Sequence, residues 1–146
     1  MAPKYIAFAL PSAIPSRQIS GSPQSGHQRC GTPGCAAGSG RGAGSRAGLL
    51  LADEGRATAD VDALRPRDVR RLNATLLTCG TYDGAGDFAY TVGVPAKSAV
   101  SGAILAIVPR RCAVCVWSPR LDASGCSVAG WEALQVLVER LGLSLF

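Results

Sequence analysis

Two short apolar runs, Val100 to Val108 and Cys112 to Trp117, flank a break at Pro109, Arg110 and Arg111. No other feature of the chain limits its fold so tightly. Apolar runs joined by a short polar break predict an antiparallel hairpin. The second run contains a C-x-x-C, Cys112 and Cys115. At a loop or a helix start that spacing would suit redox chemistry or a metal. On a strand, side chains three apart point to opposite faces, so the sulfurs diverge and act as small hydrophobes.

Helices are expected on either side of this hairpin. Leu49 to Ala52 followed by Gly55 has the form of a helix end with a glycine stop. Pro66 suits a first helical position. Val69, Leu72, Leu76 and Leu77 recur at three- and four-residue spacing before Gly80, which predicts an amphipathic helix over Pro66 to Cys79. Arg67, Arg70 and Arg71 fall on its solvated face. Ser127 is placed to cap a last helix whose apolar face is Trp131, Leu134, Leu137, Val138 and Leu141. Between the helices, Phe88, Tyr90 and Val92 alternate with Asp87, Ala89 and Thr91, which predicts a strand. The turn before it carries Asp83, Gly84 and Gly86. The order helix, three strands, helix predicts an α+β domain over residues 46–146, an antiparallel sheet flanked by helices.

Residues 1–45 have a different texture. Ser20 to Gly48 is mostly Gly, Ser, Ala, Arg, Pro and Gln, too poor in apolar surface to offset the entropy of ordering. The N-terminal third is therefore expected to be disordered, low-complexity sequence. The run Tyr5 to Leu10, ended by Pro11, is too short for a convincing signal peptide. His27, Cys30 and Cys35 match no common zinc spacing. Six cysteines without a leader fit a reduced, cytoplasmic protein better than a secreted disulfide scaffold. The charge of +5 is carried almost wholly by arginine, scattered or on one helix. Without clustering and aromatic platforms this argues against a nucleic-acid partner. No stretch approaches a membrane span.

Histidine-based triad chemistry has only His27 to draw on. Serine hydrolases can use lysine instead, with S-x-x-K placing both side chains on one helical face. Lys4 and Lys97 are the only lysines, and neither completes that motif. A second Ser-Lys element is present in outline as Lys97-Ser98-Ala99. On a sheet strand, K-S-G or K-T-G supplies positive field and a hydroxyl. Its glycine admits the ligand, and the following N–H serves as an oxyanion donor.

A longer pattern surrounds that triplet. Cys79-Gly80-Thr81-Tyr82-Asp83, Gly86-Asp87-Phe88-Ala89-Tyr90 and Val92-Gly93-Val94-Pro95-Ala96-Lys97-Ser98 together resemble the glutaminase family. So do Ile107-Val108-Pro109, Trp117-Ser118-Pro119, Leu121-Asp122 and the ending from Gly142 to Phe146. The resemblance implies a serine β-lactamase/penicillin-binding-protein-like fold, of which this chain would be a C-terminal part. It implies hydrolysis of L-glutamine to L-glutamate and ammonia by a Ser-Lys acyl-enzyme, with no metal or organic cofactor. It also implies assembly as a homo-oligomer, a tetramer in the family. Tyr82 would contact substrate and take part in proton transfer. Val100 would bind through its main chain on the oxyanion side, with Lys97 and Ser98 as the site wall. The departures are Ala99 and Ala103 in place of glycines, and Gly125-Cys126-Ser127 where the family has G-N-S. The S-x-x-K nucleophile and base are absent, which implies a chain inactive alone. The alternative is a non-catalytic fragment or interaction module that pairs with a full-length glutaminase subunit.

Overall fold

The computed structural model describes residues 5–9, 43–58 and 61–146, with side chains over 47–56 and 63–146. The expected hairpin forms as β5 (Ala103–Val108) and β6 (Cys112–Trp117), with Ile104 opposite Val116, Ala106 opposite Val114 and Val108 opposite Cys112. These pairs point to one face. Leu105 opposite Cys115 and Ile107 opposite Ala113 point to the other. Cys112 is buried in the first face and Cys115 is half-buried on the second, so the sulfurs diverge as the strand period requires. The break residues make the turn, in which Arg111 N–H donates to Val108 O at 3.0 Å.

The hairpin is the centre of a four-stranded antiparallel sheet. Its strand order is β1-β6-β5-β4, where β1 is Tyr5–Ala9 and β4 is Ala96–Ser98. β1 corrects the expectation that everything before residue 46 is low-complexity sequence outside the domain. Tyr5 to Ala9 runs antiparallel to β6, from Tyr5 opposite Trp117 to Ala9 opposite Ala113. A lone five-residue apolar segment has no partner visible in sequence, and β6 supplies one only in three dimensions. Disorder expected over residues 11–42, and the trio His27, Cys30 and Cys35, lie outside the described residues. A smaller pair, β2 (Arg56–Thr58) and β3 (Val61–Asp62), forms its own two-stranded ribbon.

Helices cover both faces. On one lie α1 (Ala43–Ala52) and α2 (Pro66–Cys79). Gly48 of α1 sits directly on the sheet, since a Cβ there would meet Ala113 and Leu105 at 2.8 Å. Ala52, Ile107 and Ala113 form the core of this side, with Leu51, Leu76 and Leu105 packed around them. Pro66 takes the N-terminal position of α2, and Val69 is buried. Leu72, expected on the same covered stripe, is 43% exposed. The apolar face of α2 is wider than the surface that α1 and the sheet present to it.

On the opposite face lies α4 (Val128–Leu141). The Ser127 side chain accepts from Gly130 N–H, capping α4 as its sequence predicts, and Gly142 ends it at φ 57°. Leu134 and Val138 bury against Ile104, Ala106, Val114 and Val116. The tail then folds back, with Leu145 N–H donating to Gly93 O at 2.9 Å.

The segment Asp87 to Val92, expected as a strand, is helical instead. A 3₁₀ turn at Tyr82–Gly84 leads into α3 (Ala85–Thr91). Alternation would put Phe88, Tyr90 and Val92 on one face. Phe88 and Val92 are buried, while Tyr90 between them is 91% exposed. Residues 88 and 92 are one helical turn apart, so their pairing fits a period of 3.6 as well as a period of two. Tertiary contact decides between the periods. Phe88 meets Trp131 of α4 edge-on, centroids 4.9 Å apart, and Trp131 Nε1–H donates to Thr91 Oγ1 at 3.0 Å. The three strands of the α+β layout are therefore β4, β5 and β6, with β1 added at the far edge. Among the described residues no helix is long and apolar enough to cross a membrane.

The helical reading of this segment makes a prediction. Phe88→Ala is expected to lower stability by about 3–5 kcal/mol. Tyr90→Ala is expected to change it by less than about 0.5 kcal/mol. Urea unfolding of both variants checks this. Comparable losses would restore the strand.

Candidate functional site

The site residues expected from sequence gather where the C-terminus of α2 meets the edge strand β4. The contact is between backbones. A Cβ at Gly80 would overlap the carbonyl oxygens of Ala96 and Leu76. Gly80 has φ −74°, so close approach, and not backbone conformation, demands glycine there. The approach lets the Gly80 carbonyl collect donors from β4. Ser98 N–H donates to it at 3.0 Å, Lys97 Nζ at 3.2 Å and Ser98 Oγ–H at 3.4 Å. Lys97 Nζ also donates to Ser98 O.

That harness aims the lysine. Lys97 stands opposite Leu105, and its ammonium lies over the Tyr82 ring, 4.4 Å from the centroid. The ring's negative face attracts the cation. Tyr82 is 41% exposed and has φ 53°, a left-handed conformation that costs a non-glycine residue about 1–3 kcal/mol. Ala85 N–H donates to Tyr82 O and closes the 3₁₀ turn behind it. Beyond the ring lies Gly125, where φ 83° favours glycine and a Cβ would make only ordinary contact with Tyr82 Cε2 at 3.7 Å.

The structure thus brings Tyr82, Lys97 and Ser98 together. Ser98 is buried, with its hydroxyl turned toward Gly80 and Cys126, so it backs the site more than it lines it. Val100 is placed differently. It lies in the turn between β4 and β5, where Ala99 N–H donates to Ala103 O at 2.8 Å and Gly102 N–H to Ala99 O at 2.9 Å. The apolar run starting at Val100 therefore enters the sheet only at Ala103, and Val100 is 74% exposed. Close approach in this turn is made by Gly102, at φ 90° against the Ser118 carbonyl. Ala99, where a glycine is expected, holds the turn through its N–H and O.

Sequence reasoning missed the structural roles of Gly80 and Cys126. Gly80 reads as a helix stop, and nothing local shows that a strand will cross it. Cys126 is fully buried, and its thiol donates to Thr81 O at 3.4 Å. Burial raises the Cys126 thiol above its ordinary range, and a hydrogen bond with Ser98 opposes that rise. Among the described residues no group of His, Cys, Asp or Glu is arranged to hold a metal ion.

Three comparisons bear on this geometry. A family model described as Glutaminase matches residues 35–146. A glutaminase of Shewanella amazonensis is 52% identical over 102 residues, 70% of this chain and 34% of its own length. One from Methylobacterium sp. is 53% identical over 104 residues, 70% of this chain and 33% of its own length. Among solved structures, the covalent complex of a Bacillus subtilis glutaminase with 5-oxo-L-norleucine superposes with a TM-score of 0.66 at 34% identity. That superposition covers 70% of this chain and 38% of that one. The chain spans about a third of the length of the curated relatives it matches.

The close approach at Gly80 yields a prediction. Gly80→Ala is expected to destabilise the fold by about 1–3 kcal/mol or more, by forcing α2 from β4. Gly86→Ala, which meets nothing within 4 Å, is expected to be neutral or to stabilise by up to about 1 kcal/mol. Thermal unfolding of both variants measures the contrast, and equal effects would remove the close approach from the account.

Proposed function

The chain belongs to the glutaminase family, and from that premise we propose that it carries the C-terminal part of a glutamine-hydrolysing site. The reaction is hydrolysis of L-glutamine to L-glutamate and ammonia by a Ser-Lys acyl-enzyme. The observation that carries the reading is the Lys97 ammonium held over the Tyr82 ring by the Gly80 and Ser98 carbonyls. A phenol beside a fixed cation can donate a proton to the departing amide nitrogen. Tyr82 is the proton-transfer and substrate-contacting group, and Lys97 supplies positive field at its ring. Ser98 braces Lys97 from behind. Val100, exposed in the β4–β5 turn, is assigned as the main-chain donor to the carbonyl oxygen of the scissile amide.

Acyl transfer also needs a nucleophile activated by a base. No S-x-x-K occurs in these 146 residues. The chain by itself is therefore inactive, and turnover requires a segment that supplies serine and lysine. The reading places the protein in the reducing cytoplasm, in line with the free thiols of Cys79, Cys112 and Cys126. It also assigns the family's homo-oligomeric habit to the complete enzyme.

A second reading is favoured by one feature. Leu72 is 43% exposed on α2, and Leu76 and Leu77 beside it are only half-buried. An uncovered apolar stripe suits a non-catalytic module that pairs with a full-length glutaminase subunit.

Ammonia release from glutamine tests the inactivity, and pairing with a full-length subunit separates the readings. The purified chain is expected to show no turnover above buffer. Sustained turnover that survives purification would overturn the inactivity. Retention of the chain by a full-length family subunit on size exclusion, with Leu72→Glu abolishing it, would support the pairing reading. Separate elution of the unsubstituted chain would reject it.

A further inference from the structure

Tyr82 occupies an unfavourable backbone region, so something must hold it there. The peptide entering Tyr82 is the Thr81–Tyr82 unit. Rotation of that unit about the Tyr82 N–Cα bond is φ itself, so fixing the Thr81 carbonyl fixes φ. Thr81 is buried, and its carbonyl accepts from the Cys126 thiol at 3.4 Å. Cys126 is in turn held from three sides. Its N–H donates to Asp122 Oδ1 at 2.9 Å, an acceptor it shares with Ser124 N–H. Its carbonyl accepts from Asp122 N–H at 2.8 Å. Its sulfur is flanked by Ser98, whose hydroxyl donates to Gly80 O. The next residue, Ser127, is tied to Ser118 O at 2.9 Å and caps α4.

We propose that Cys126 is a positioning residue, whose buried thiol locks the Thr81–Tyr82 peptide and so holds the Tyr82 ring in left-handed geometry beneath the Lys97 ammonium. The position is one of the chain's departures from its family, which has asparagine between this glycine and this serine. The thiol does here what a short side chain with a hydrogen-bond donor can do: it fills a dry pocket and donates to one carbonyl. The inference takes its functional weight from the reading of Tyr82 as a substrate contact. Its test involves no glutamine, so the two can fail separately.

The experiment uses the full chain labelled with 15N-tyrosine, in which Tyr5, Tyr82 and Tyr90 give three amide signals. Cys126→Ser keeps a donor and is expected to leave the Tyr82 signal near its original position. Cys126→Ala and Cys126→Val remove the donor, the second with the pocket kept filled. Both are expected to move the Tyr82 signal while Tyr5 and Tyr90 stay. Cys112→Ala is the control for loss of a buried thiol on the same face of the sheet, and it is expected to leave Tyr82 in place. If Cys126→Ala does not fold, Cys126→Val carries the same reading. An unmoved Tyr82 signal in Cys126→Val, or an equal displacement in Cys112→Ala, would overturn the proposal. So would failure of Cys126→Ser to restore the signal.

Discussion

One carbonyl organises this domain. Gly80 O ends α2 and accepts from the Ser98 backbone, the Ser98 hydroxyl and the Lys97 ammonium. A helix C-terminus leaves its last carbonyls without intrahelical partners and carries partial negative charge. Here β4 supplies the partners, and one of them is a cation. The same contact anchors the edge strand, ends the helix and directs Lys97 over Tyr82. It depends on the missing Cβ of Gly80, because Ala96 O lies where that atom would be. Fold and site therefore share one constraint at this point.

Much of this was legible in the sequence, for reasons particular to each element. The β5–β6 hairpin was legible because a proline and two arginines interrupt an otherwise apolar stretch. Helices α2 and α4 were legible from their stripes and from Pro66 and Ser127. The segment at Phe88 was not, because residues 88 and 92 satisfy two periods at once and only Trp131 chooses between them. β1 was not, because its partner β6 lies more than a hundred residues away. Of the site, the triplet at Lys97 and the tyrosine at 82 were legible through family resemblance. Their meeting at Gly80 O, and the Cys126 thiol behind them, are tertiary contacts that no local pattern signals.

The comparisons and the geometry agree on what is present. The chain belongs to the glutaminase family and spans about a third of the length of its curated relatives. Within that third, Tyr82 is exposed beside a fixed cation, while the residues holding it are buried. The supports Thr81, Ser98, Cys126 and Ser127 are buried and each hydrogen-bonded, Cys126 to Thr81 O, Ser98 to Gly80 O and Ser127 to Ser118 O. Buried polar groups that are mutually satisfied favour a single geometry, because each alternative leaves a group unpaired. Contacts within this chain alone thus hold Lys97 over Tyr82.

The most direct test of that claim is the environment of Lys97 in the isolated chain. Lys4 is the only other lysine and serves as an internal reference. An ammonium seated over an aromatic face places the lysine ε-methylene protons in the ring's shielding region. Proton NMR is therefore expected to show one lysine ε-methylene signal at ordinary position and one displaced upfield, with a cross-relaxation peak to the Tyr82 ring. Two lysine signals at ordinary position, with no cross-relaxation to any tyrosine, would contradict a site preassembled in this chain.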